Sequence, residues 1–531
     1  MVDAVMDPDQ PESAAPNILM STELPTQESP PDGRIEVIRD LLDRGLHNQV
    51  IHEGRQLCGV LNEPSDLATL QVLIGRAEMF NGRLGPAVQR FRLAEYGDLN
   101  PGDRLRLGIS EAMVRFGSGG VASVIEVIDE LEANANEDNL TLAATAGLRA
   151  WTSIEQSNTT RAVELAKVSN ERALRHDDDD LIVLSWLILG LSTTAAGDIE
   201  FGAKALATGI EHSTKSKHVA ALPVLHLVAA DTDHLRGRLA HSRYHARLSI
   251  ESSEPISSGA VGVGANGLLA ILADRCGEHA EAAGYVIDAE RALLRGAPLG
   301  WGNLALARLR LDRSIDPEQA ALRLLDVWRY LDDQGSIGYA SIFSVPVAEL
   351  TNRLKPGATT REIMKRLRAI RPPSLPDGFA RDLALAAIDE DLTTAVGIVL
   401  TLEQSRSTHL ALVGDSFALV ANLLEQKSDK RSRMFADEAR VIYGELQADG
   451  DLARLLSRHP AIAGSADPVL SAAEKRVVAL VIDGRSNAEI AQELFLSIKT
   501  VEAHLARIYR RFGLKSRLQL VRFCEANLTG L

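Results

Sequence analysis

The chain is poor in the residues that build small, cross-linked or sheet-rich folds. Its 531 residues include three cysteines, Cys58, Cys276 and Cys524, which lie hundreds of positions apart. Without paired spacing, neither a disulfide framework nor a zinc site is expected, and a reducing cytoplasm fits. Aromatic residues make up only 4%, so the core must come from Ala, Leu, Ile and Val, a composition that favours helices over sheets. No apolar run reaches the roughly 20 residues that a bilayer crossing needs; the longest, around Leu181–Leu191, is interrupted by Ser185. The first 33 residues have no basic residue, six prolines and seven acids. That pattern excludes a signal peptide, and residues 1–34 read as a disordered acidic leader.

Catalytic signatures are missing too. No phosphate-binding G-x-x-x-x-G-K-[ST] occurs; the nearest letters, Gly197 to Lys204, offset the lysine and lack the hydroxyl residue. There is no Gly-x-Ser-x-Gly elbow and no His-Glu-x-x-His helix. No enzyme activity, cofactor or metal is therefore expected. Gly262-Val-Gly264-Ala-Asn-Gly267 matches a dinucleotide fingerprint by letter, but the polar stretch Glu251–Ser258 precedes it where a strand is required. It reads instead as small residues at a helix crossing or a helix start. His176 and Asp177–Asp180 read as a solvated loop and a cap for the helix starting near Leu181, where negative charge suits the N-terminus.

What the chain does have is repetition. Short turns separate amphipathic stretches at Gly45, Gly82, Gly119, Asn158, Gly197, Gly237 and Gly277, and less clearly at Ile315, Gly357, Asp391 and Asp429. The period is roughly 38 residues, the scale of a helix-hairpin repeat. Small residues recur shortly after the turns, at Ala87, Ala162, Gly202, Ser242 and Ala282, where they let paired helices approach. A single hairpin cannot bury its apolar face, so neighbours must stack. The layout resembles tetratricopeptide-type repeats with a longer period. An all-α solenoid is expected over residues 35–457, followed by a linker over 458–469. A concave surface of this kind suits a protein, a peptide or a small effector, and the sequence does not choose among them.

The formal charge of −15 conceals a division. Leu470–Leu531 carries +4, and the rest of the chain −19, so only the tail attracts nucleic acid. Ser471/Glu474, Ser486/Glu489 and Ser516/Gln519 each have the form of a capping box. Ser497 is a fourth helix start, and Gly484 and Gly513 mark stops. Four helices follow, over 472–483, 487–494, 498–512 and 517–525. The second and third are joined only by Phe495-Leu496-Ser497, which makes a helix-turn-helix. In the third helix Val501, Leu505, Ile508 and Phe512 form one apolar stripe. Lys499, Glu502, Ala503, Ala506 and Arg510 occupy the opposite face, flanked by His504, Arg507 and Arg511. Small residues at 503 and 506 allow close approach to base edges, and the cations suit phosphates.

Residues 470–522 resemble the LuxR-type helix-turn-helix of bacterial regulators, with matching positions that include Glu474, Gly484, Ser486, Asn487, Glu489, Ile490, Leu496, Thr500, Val501, His504, Ile508 and Tyr509. The resemblance implies a DNA-binding domain over 470–531. Lys499, Glu502, Ala503, Ala506 and Arg510 would read bases. Ser497, Thr500, His504, Arg507, Arg511, Lys515 and Arg517 would hold the DNA backbone. It further implies double-stranded DNA and RNA polymerase as partners, and a homodimer on DNA. Glu502 departs from the lysine common in the family; a carboxylate gains nothing from phosphate but accepts a hydrogen bond from cytosine N4. The leading expectation is a transcription regulator whose solenoid senses an effector. The rival is an interaction scaffold tethered to DNA by its terminal domain.

Overall fold

A computed structural model describes residues 31–133, 139–253, 261–294, 300–312, 315–336, 342–463, 472–494, 498–511, 514 and 516–521. Residues 1–30 of the expected acidic leader lie outside this set, and the first helix, Pro31–Asp43, begins inside the stretch read as leader. Every regular element among the described residues is helical.

The hairpins form where turn chemistry asks for them. Gly45, Gly82, Gly197, Gly237 and Gly277 all take positive φ, between 72° and 92°, a region open to glycine at little cost. Where the sequence has no glycine, Ser157, Glu390 and Ser428 take that conformation. The next residue in each case, Asn158, Asp391 or Asp429, accepts a hydrogen bond from a backbone N–H two or three residues on. The element Pro101–Ala133 contains non-helical backbone at Gly120 (φ 63°). Its two arms fold back there, so that Leu131 lies against Gly108.

Small residues after the turns do what their size suggests. Ala87, Ala162, Ser242 and Ala282 are fully buried. A Cβ on Gly202 would sit 2.9 Å from the carbonyl oxygen of Gly190 in the facing helix. Through Leu294 the units are regular, each helix packed on its hairpin partner and on the next unit. The rhythm then fails. Helix Trp301–Asp312 packs chiefly on Gly262–Cys276 rather than on the helix that follows it. Two of the four less clear sequence turns, Ile315 and Gly357, fall in this irregular stretch.

The later helices close back on the turn edge of the earlier ones. A Cβ on Gly120 would collide with the backbone of Gln334, and one on Gly237 with Leu410 and Leu446. Thr159 Oγ1 donates to the Pro373 carbonyl at 2.7 Å. One apolar core accordingly runs from Ala230 to Ile462. Gly264 and Gly267 sit in the helix Gly262–Cys276; Gly264 lies against Gly300, and Gly267 against the backbone of Asn303 and Leu304. The dinucleotide-like letters are therefore a helix crossing.

Candidate nucleic-acid interface

The C-terminal domain starts with helix Ala472–Ile482, which stops at Gly484 (φ 78°). Helix Asn487–Glu493 begins with a complete capping box. The Ser486 N–H donates to Glu489 Oε2 at 2.7 Å, and the Glu489 N–H donates to Ser486 Oγ at 3.3 Å. The Ser486 N–H and the Ser486 hydroxyl, both donating to the Glu489 carboxylate, hold it below its ordinary value. Ser471, Ser497 and Gly513 lie outside the described residues; Ser516 Oγ accepts from the Gln519 N–H at 3.3 Å.

Helix Ile498–Arg511 is seated by its apolar stripe. Val501, Leu505 and Ile508 are buried against Val477, Val478, Val481, Ile490 and Leu520. Phe512, expected in the same stripe, lies outside the described residues. With the stripe inward, Glu502 and Ala506 are exposed. Lys499, Thr500, Ala503, Arg507, Arg510 and Arg511 belong to the same helix, and Ser497 and Lys515 lie outside the described residues. His504 is 7% exposed. Arg517 donates to Asn487 Oδ1 at 3.2 Å and to the carbonyl of Arg485. It thereby braces the fourth helical segment against the entrance of the second.

Residues 468–524 match the family model described as bacterial regulatory proteins, luxR family. This segment is a LuxR-family DNA-binding domain. The chain is 27% identical over 161 residues to the oxygen regulatory protein NreC of Staphylococcus epidermidis, a match covering 28% of this chain and 71% of that protein. Against NreC of Staphylococcus aureus it is 44% identical over 63 residues, 12% of this chain and 29% of that protein. A solved Rap protein complexed with competence and sporulation factor aligns at 14% identity with a TM-score of 0.48, covering 64% of this chain and 97% of that one. The LuxR domain accounts for the positive end of the chain.

Outside the LuxR domain, two clusters of paired charge among the described residues bear on the expectations above. Asp178 caps helix Asp179–Ala195 as expected, accepting from the Leu181 N–H at 3.0 Å. Asp180 is not simply solvated. Burial opposes its ionisation, but Arg76, His218 and Arg106 overcome that and hold it down to about 2. His218 in turn faces Asp43 at 3.4 Å, and the surrounding acids outweigh its burial to raise it to about 9. Asp43, Asp180 and His218 have donor atoms within 4.8 Å of one another, close enough for one cation, but Arg76 and Arg106 already occupy Asp180.

The second cluster was missed by sequence reasoning. Arg275 donates to Asp415 and Asp451 at 2.6 Å each. Arg310 donates to Asp274 at 3.0 Å and to Asp451 at 2.7 Å. Arg454 closes the group on Asp274 and Asp451. Burial disfavours the Asp451 carboxylate, yet Arg310, Arg275 and Arg454 hold it far below its ordinary value. The only sequence signal was charge, Asp274-Arg275, terminating the apolar run Leu268–Ala273.

Proposed function

We propose that the chain is an effector-controlled transcription regulator, in which the solenoid sets how a pair of LuxR domains is presented to DNA. The observation that carries this reading is the seating of helix Ile498–Arg511. Its apolar stripe is buried while Glu502 and Ala506 are exposed, within a segment that matches the luxR family. In this reading Lys499, Glu502, Ala503, Ala506 and Arg510 face base edges, with Ser497, Thr500, Arg507, Arg511 and Lys515 at the phosphates. His504 and Arg517 act as positioning residues. The domain assignments are 35–457 for the sensor, 458–469 for the linker and 470–531 for DNA binding. One small helical head offers limited contact area, so two heads on half-sites one helical turn, about 34 Å, apart are expected. RNA polymerase is the partner through which promoter output changes.

Selection of binding sites from randomised duplex DNA by the full chain tests this. A palindromic or directly repeated site, footprinted over both halves, is expected. Arg507→Ala should weaken binding to every site and reduce the salt dependence by about one counterion, whereas Arg510→Ala should relax the preference at the base position it reads. Glu502→Lys should raise affinity for all DNA and blur the selected sequence; an unchanged site preference would remove Glu502 from base reading. Recovery of no preferred sequence by the wild-type chain would overturn the regulator reading.

A further inference from the structure

The irregular stretch of the solenoid forms a half-open pocket of about 390 Å³, within the size range of small-molecule sites. Its walls are Leu293, Trp301, Leu304, Leu309, Leu324 and Val327. They come from the three helices His279–Leu294, Trp301–Asp312 and Pro317–Gln334. The cavity exists because Trp301–Asp312 leaves its neighbours to pack on Gly262–Cys276, where Gly264 and Gly267 permit close approach. Trp301 leans on Tyr330 with ring centroids 4.9 Å apart.

Two ion pairs border the apolar walls. Arg308 directs both Nε and Nη2 to the same oxygen of Glu290, and Arg323 gives Nη1 to Asp312. A guanidinium has five N–H donors, so both arginines keep donors beyond these bonds, and their side chains are 34% and 49% exposed. A planar guanidinium fork matches a carboxylate in two-point fashion. A carboxylate head can take the N–H donors that both arginines keep, beside Glu290 and Asp312, which balance their charge; an uncharged head would leave the forks unused.

We propose that this cavity is the effector site and that it binds a small amphiphile, an apolar body ending in one carboxylate. The inference rests on the reading of the chain as an effector-controlled regulator. The same helix that supplies Trp301, Leu304, Arg308 and Leu309 to the cavity carries Arg310, which grips Asp274 and Asp451. Asp451 lies in helix Asp449–Arg458, the last long helix before the LuxR domain. A ligand that favours one position of Trp301–Asp312 therefore biases the helix that leads to the DNA-binding head.

The test uses the full chain with decanoate, decylamine and decanol as probes, followed by calorimetry and tryptophan fluorescence. Decanoate is expected to bind saturably below about 1 mM and at least tenfold more tightly than either other probe. Arg308→Met with Arg323→Met should weaken decanoate at least tenfold and leave decanol unchanged. Leu304→Trp should fill the cavity and abolish binding of both; Ala305→Leu serves the same end if the larger residue unfolds the chain. Bound decanoate should change the affinity for the selected DNA at least threefold. Equal affinity for all three probes, no saturation, unaltered decanoate binding in the double arginine variant, or unchanged DNA affinity at saturation each overturns the proposal. Decanoate binding as described in a chain that selects no DNA sequence would instead remove the regulator reading and leave the site standing.

Discussion

The repeats up to Leu294 and the helices from Trp301 onward are built by different means. In the first group the units close locally, with a left-handed residue at the turn and, in most of them, a small residue buried just beyond it. The second group keeps local turns at Glu390 and Ser428 but adds pairs that reach across the molecule. Arg275 and Arg310 reach Asp451 over separations of 176 and 141 residues, and all three are at most 6% exposed. The difference teaches where each half is fragile. A local turn lost from the first group loosens one unit, whereas a buried charge lost from the second leaves its partners uncompensated.

The sharpest way to break that comparison is Asp451→Asn. Size is kept, but Arg275, Arg310 and Arg454 lose their shared carboxylate, and a loss of about 3–5 kcal/mol is expected. Its counterpart in the first group is Arg149→Met, which removes pairs to Glu132 and Asp129 at a partly exposed site. That change should cost at most about 1 kcal/mol. Urea midpoints of the two variants check the contrast, and similar losses would dissolve it.

Glu155 joins the two groups and responds to pH. Its carboxyl is 3% exposed and accepts from Trp151 Nε1 at 3.0 Å. Burial raises it from 4.5 to about 7, against the smaller opposing effects of Ser336 and Trp151. Because the folded state binds the proton more tightly, the stabilisation is complete below about 4.5 and is lost as pH rises through about 7. That rise corresponds to about 3 kcal/mol. Glu155→Gln keeps an acceptor for Trp151 and should flatten this part of the stability profile, making the variant the more stable protein at pH 8. An unchanged slope between pH 5 and pH 8 would show that Glu155 does not titrate there.

The same division governs what could be read from sequence. Gly82 and Gly197 mark turns because glycine at positive φ is a local requirement. Asn158, Asp391 and Asp429 mark turns because a short polar side chain bonds its own neighbouring backbone. Ser486 and Glu489 likewise announce a helix start within four residues. The pairing of Arg310 with Asp451 has no local trace, since nothing in the period relates residues 141 positions apart. Nor does the cavity, which arises where Ile315 and Gly357 were weak turn signals. In the LuxR domain the stripe of Val501, Leu505 and Ile508 was legible from its spacing. The burial of His504 was not, because a polar residue flanking such a stripe reads as surface.

The smallest expected effect separates a turn that the later helices cover tightly from one that they barely touch. Gly197 (φ 92°) and Gly237 (φ 74°) close equivalent hairpins, and alanine at either must adopt a left-handed backbone at a cost of about 1 kcal/mol. Beyond that cost their surroundings differ. A Cβ on Gly197 meets only Ser374 Cβ at an ordinary 3.7 Å, whereas on Gly237 it would approach Leu446 at 2.7 Å and Leu410 at 2.9 Å. The added crowding should cost a further 1–2 kcal/mol or so, because leucines in a packed core yield only by leaving their preferred rotamers. Thermal melts of Gly197→Ala and Gly237→Ala therefore measure how firmly the second group of helices presses on the first. Equal melting temperatures would mean that the later helices give way at Leu410 and Leu446, and that the turn edge is held together by the buried charges alone.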